Sequence, residues 1–121
     1  MSIVLNHTIV PATDKEKSAK FFAEMFGLKY EGPSGHFAPV KINDALTFDF
    51  DNRPSFESHH YAFHVSDDEF DAIFARIKKS GIKFGSDPFD QGNGKINRWN
   101  GGRGLYFHDP NGHSLELLTK I

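Results

Sequence analysis

The chain has 121 residues, 38% of them hydrophobic and 13 of them Phe, enough for one core or for two small halves sharing one. Its 14 basic and 16 acidic side chains include no basic run, and no apolar stretch could span a bilayer, which excludes a polyanion-binding or membrane role and leaves a cytoplasmic protein as the expectation. The N-terminus lacks signal-peptide features, and without Cys any metal must be held by N and O ligands, of which seven His supply the nitrogens.

Residues 3–10 read as a strand with Leu5, His7 and Ile9 on one face, ended by Pro11. Thr13-x-x-Glu16 is a capping-box pattern, and Ala19, Phe22, Ala23 and Phe26 recur at helical spacing until Gly27 stops the helix. A short strand at 28–30, a loop at 32–35, a strand at 36–41 and a strand at 45–50 follow. The last carries Leu46, Phe48 and Phe50 on one face, Thr47 and Asp49 on the other. The polar stretch 51–58 is a connector.

The order then restarts. Residues 60–65 form a strand with His60, Ala62 and His64 on one face. Ser66-x-x-Glu69 caps a helix carrying Phe70, Ile73, Phe74 and Ile77, which ends at Gly81. A short strand at 82–84, a Gly-rich loop at 85–94 and a segment at 95–99 lead to a terminal hairpin. Its turn, Asp109-Pro110-Asn111-Gly112, combines a preset φ with a residue that accepts positive φ.

A displacement of 53 residues superposes His7 on His60, Thr13 on Ser66 and Glu16 on Glu69. The fold expected is therefore α+β: two βαβββ modules, about 1–52 and 58–121, in a single domain 1–121 whose curved mixed sheet encloses a cleft. Glu116 shares a face of the last strand with Ser114 and Leu118. Over a core it needs a partner cation; on a solvated face it needs none, and both readings are open. With His7 and His60 at equivalent places, two imidazoles and a carboxylate make a ligand set for Fe(II), Mn(II) or a related divalent ion.

Asn6-His7-Thr8-Ile9-Val10, His60-Tyr61-Ala62-Phe63-His64-Val65 and Tyr106-Phe107-His108-Asp109-Pro110-Asn111-Gly112-His113-Ser114-Leu115-Glu116 resemble the vicinal oxygen chelate superfamily, which includes glyoxalase I, fosfomycin-modifying enzymes, extradiol dioxygenases and bleomycin-resistance proteins. The resemblance implies His7, His60 and Glu116 as ligands of a divalent metal (Fe, Mn, Ni or Zn), a small oxygen-chelating substrate, and a homodimer whose site lies either within one chain or between two, His7 of one subunit then completing it with His60 and Glu116 of the other. It implies an enzyme of isomerase or lyase, transferase or dioxygenase chemistry; the alternative is a metal-free small-molecule or antibiotic binder. Glyoxalase I places a fourth ligand on the last strand of its first module. Counted from the turns, that position is Phe48, which cannot ligate and would line the substrate site instead.

Arg98, Trp99 and Arg103, with Lys95, cluster before the hairpin. They read as a cationic, aromatic-backed rim for substrate, with loop 85–94 as a mobile flap, or as solvated charges. Tyr106 reads as a hydrogen-bond donor in the site or as core. No residue is singled out as catalytic.

Overall fold

A computed structural model describes residues 3–121 and divides the chain into two compact units, one ending at Glu57 and the other Ser58–Ile121. Met1 and Ser2, the start of the segment read as lacking a signal peptide, lie outside the described residues. Among the described residues no helix is long and apolar enough to cross a membrane. Both units mix strands and helix, the α+β class expected.

The first unit contains β1 (His7–Ala12), α1 (Lys15–Phe26), β2 (Ala38–Lys41) and β3 (Thr47–Asn52). Its sheet has the order β1-β3-β2, with β1 parallel and β2 antiparallel to β3. β1 runs through Pro11 instead of ending there. As an edge strand it has a free side, where a missing N–H breaks no ladder bond. The cap of α1 is Asp14, not Thr13: its carboxylate accepts the Lys17 N–H at 3.2 Å, and an anionic acceptor also suits the positive end of the helix. Residues 28–30 form no strand, so this unit is βαββ. Phe22 of α1 packs on Phe48 and Phe50, ring centroids 5.3 and 6.0 Å away, and each such ring taken from water stabilises the fold by about 2 kcal/mol.

The second unit contains β4 (His60–His64), α2 (Asp67–Ser80), β5 (Phe84–Gly85), β6 (Gly104–His108) and β7 (Ser114–Leu118) in a sheet of order β4-β7-β6-β5. The Ser66 capping box forms in full. Ser66 Oγ accepts the Glu69 N–H at 3.1 Å and Glu69 Oε1 accepts the Ser66 N–H at 2.8 Å; donation from the Ser66 backbone, and then from its hydroxyl, holds the Glu69 carboxyl below its ordinary pKa. Residues 95–99 form no strand and give way to a 3-10 turn, Trp99–Gly101. The hairpin turn forms where expected: Gly112 takes φ +82°, and Asp109 Oδ1 accepts the N–H groups of Asn111 and His113 at 2.9 and 2.8 Å.

Strand pairing gives this sheet two chemically different faces. Phe84, Phe107, Leu115 and Tyr61 make one cross-strand row, and Phe74 of α2 meets Phe84 edge-on at 5.1 Å, so α2 covers that side. The opposite side carries the row Gly85, Tyr106, Glu116, Ala62 and, one pleat along, His108, Ser114, His60.

Candidate metal centre

Glu116 is flanked on its face by two groups, His60 and Tyr106, and this resolves how a carboxylate is tolerated there. His60 is diagonal to it across the parallel β4–β7 pair, and His60 Nε2 donates to Glu116 Oε1 at 3.0 Å. Tyr106, its direct partner on β6, also donates to it, and burial followed by that bond raises the phenol pKa to about 12. Trp99 stands edge-on to Tyr106 at 6.1 Å and His60 is 5.8 Å from the same ring. The Glu116 side chain is 15% exposed and that of His60 49%, so the pair borders solvent while its carboxylate is mostly covered.

His60 follows from its neighbours. The fully buried His113 turns Nδ1 toward the His59 N–H and accepts it at 2.9 Å, while Ser58 Oγ donates to Gly112 O at 2.7 Å. The 109–112 turn is thereby stitched to the start of β4, immediately before His60. The sequence signal for this structural role of His113 is its place directly after the turn.

In the first unit His7 opens β1, is exposed, and has Nδ1 2.8 Å from Asn6 Oδ1. Register gives it a counterpart: His7 pairs with Thr47 as His60 pairs with Ser114, and Ile9 pairs with Asp49 as Ala62 pairs with Glu116. The first-unit position equivalent to Glu116 is therefore Asp49, a carboxylate, and not Phe48. Counting from turns of different length shifted the frame by one residue. Phe48 is 2% exposed and part of the α1 core, so it is not available to line a substrate site.

Arg103 is likewise redirected. It alternates with Gly104 and so lies on the α2 side, where it donates to Asp67 at 3.1 Å and Asp71 at 2.7 Å and covers the Phe70 ring at 4.5 Å. Those bonds raise its pKa and tie β6 to α2. Arg98 borders a surface depression of about 250 Å³ with Asp67, Gly102 and Lys120. Loop 86–94 is laced, not loose: Asn93 Oδ1 accepts the Ser86 N–H at 3.2 Å, Asn97 Nδ2 donates to Ser86 O at 3.0 Å, and Gly94 N–H reaches Phe84 O at 2.9 Å.

The donor set fits a divalent ion. A neutral imidazole nitrogen and a carboxylate oxygen 3.0 Å apart, on neighbouring strands, can turn to a common cation in place of the shared proton. Among the described residues of one chain, no group of three or more His, Asp or Glu side chains gathers around a single point.

The two-helix α+β fold places the imidazole–carboxylate pair on the edge strand β4 and its neighbour β7. The model of the Glyoxalase/Bleomycin resistance protein/Dioxygenase superfamily matches residues 4–117, and the chain belongs to that family. Among solved structures it is similar to the oxidase ChaP-H2, with 47% identity, a TM-score of 0.94 and coverage of 100% of this chain and 96% of that one. The oxidase ChaP-H1 gives 45%, 0.93, 99% and 98%. The glutathione transferase FosA of Serratia marcescens is 31% identical over 93% of this chain and 78% of its own length.

Proposed function

We propose that this chain is a divalent-metal-dependent, oxidase-type enzyme acting in the cytoplasm on a small substrate that offers two neighbouring oxygens. The observation that carries the reading is the His60–Glu116 contact at 3.0 Å. Two imidazoles and one carboxylate with open positions are the ligand set of non-haem Fe(II) oxygenases, and the near half-identity to two proteins called oxidases favours that branch over the transferase branch. The ion, when bound, supplies Lewis-acid polarisation of the chelated oxygens and, as iron, one-electron chemistry. Tyr106 holds Glu116 in one orientation, and the half-exposed Trp99 ring gives a planar substrate an apolar wall.

The third ligand in this proposal is His7 of a second copy. β1 is an edge strand preceded by the exposed Ile3, Val4 and Leu5 and carrying the exposed Ile9, an apolar segment suited to being covered by another chain. Mixing His7→Ala with Glu116→Ala subunits tests this: a shared site predicts partial recovery of metal binding, and no recovery assigns the site to one chain. The reaction class is tested by oxygen uptake of Fe(II)-loaded protein over catechols, abolished in His60→Ala. Glutathione consumption with an epoxide and no oxygen uptake would place the chain with the transferases, and ligand binding unaffected by EDTA would make it a binder.

A further inference from the structure

Asn97 is buried, 8% exposed, on a segment that forms no strand, and both ends of its amide are used. Nδ2 donates to the carbonyl of Ser86 at 3.0 Å, and Oδ1 accepts the backbone N–H of Trp99 at 3.3 Å. A carbonyl only accepts and a peptide N–H only donates, so this pair of contacts calls for a carboxamide, which offers both. The Asn97 backbone is fixed as well, by reciprocal bonds with Gly104 of 2.9 and 3.1 Å.

These bonds lay the segment against the face of the sheet that carries Glu116. Gly104 stands two residues before Tyr106 on β6 and therefore on the same face. A Cβ there would lie 2.7 Å from Asn97 Oδ1 and 3.1 Å from Nδ2, so the amide occupies the space of the missing side chain. Gly85, opposite Tyr106 on β5, is covered in the same way by the Asp90–Gln91 backbone. The stretch from Ser86 to Trp99 thus rests on glycines to either side of Tyr106, and Asn97 ties its two ends together. From the second end emerges the Trp99 ring, 47% exposed and edge-on to Tyr106 at 6.1 Å. Two bonds hold the Trp99 backbone, Asn97 on its N–H and the Gly102 N–H on its carbonyl, and the first fastens it to β6 through Asn97.

We infer that Asn97 is a positioning residue that sets the Trp99 ring beside Tyr106 and so controls how the site discriminates between planar ligands. This rests on the reading above in which Trp99 walls the site, and the two are separable. Trp99 is the only tryptophan of the chain, so its fluorescence reports its position without any ligand. Asn97→Asp keeps the shape and the acceptor but loses the donor to Ser86 O. In that variant, free of metal, emission should move to longer wavelength and quenching by acrylamide should increase. Gly104→Ala, whose methyl displaces the same amide, should shift both in the same direction. Calorimetric titration of Zn(II)-loaded protein with catechol and with 2,3-dihydroxynaphthalene, which differ by a fused ring, then reads the discrimination. The native chain should prefer the larger probe by about tenfold, and Asn97→Asp and Trp99→Ala should each reduce that preference to about twofold. The double variant should lose no more than either alone, since Asn97 acts through Trp99, whereas independent effects would add. Emission and quenching unchanged in Asn97→Asp, or additive losses in the double variant, overturn the inference. Equal native affinity for the two probes, or a preference that survives in Trp99→Ala, overturns the wall and with it the control of discrimination. Failure to take up Zn(II) overturns the metal centre, and the fluorescence of Asn97→Asp still decides the positioning.

Discussion

Tyr106 and Glu116 face each other directly across the antiparallel β6–β7 pair, and the phenol donates its hydrogen to the carboxylate. A neutral donor at that place orients Glu116 without neutralising it. The carboxylate thus stays available to a cation.

The phenol provides a pH test on the metal-free protein. Its folded pKa of about 12 lies above the ordinary 10.0, first because of burial and then because of the bond to Glu116. An acid whose folded pKa is raised contributes stability that is complete below about pH 10 and is lost as pH climbs toward 12. Ultraviolet titration should show one phenol ionising last, and Tyr106→Phe should remove it and flatten the loss of stability across that window.

Arg103 separates architecture from site. Arg103→Ala removes the ion pairs to Asp67 and Asp71 and the contact with Phe70. Since both carboxylates are more than half exposed, denaturant titration should show a loss of only about 1 kcal/mol. Metal affinity should not change, because the guanidinium lies on the α2 side of the sheet.

His113→Phe leaves the His59 N–H without its acceptor and should destabilise the second unit by about 1–3 kcal/mol in the same measurement. Asn, whose Oδ1 can take the place of Nδ1, should recover part of that loss. Hydrogen exchange at the His59 amide should rise in the Phe variant and fall back in His113→Asn.

Gly85→Ala tests the placement of the loop. The added methyl would meet Asp90 O at 2.1 Å, so the Asp90–Gln91 backbone must move, at about 1–3 kcal/mol. Amide exchange at Asp90, whose N–H is held by Asp87 O, should accelerate. Unchanged stability and exchange would mean that the loop does not lie against β5.

Much of this was legible because alternation and caps are local signals. The strand carrying His60 and Glu116's period-two placement followed from side-chain periodicity alone, and the Ser66 box from a four-residue pattern. What failed depended on pairing. Pro11 is harmless only on an edge, and the sheet order is not written in the strand itself. Asp14 displaced Thr13 by one residue, which also dissolves the superposition at the caps while leaving His7 and His60 as the first residue of each parallel strand. Asp49 emerged in place of Phe48 only through register, and the bonds that commit Arg103 to Asp67 and Gln91 to Ser114 join residues tens of positions apart.

Metal binding by the imidazole–carboxylate pair is the point on which the functional reading turns. Competitive Zn(II) titration of native protein, His60→Ala, Glu116→Gln and His7→Ala measures it without reference to any substrate. Native chain should bind about one ion per subunit, with affinity lower by about 100-fold or more in each variant. Uptake by the variants equal to that of the native chain, or none by the native chain, would contradict it.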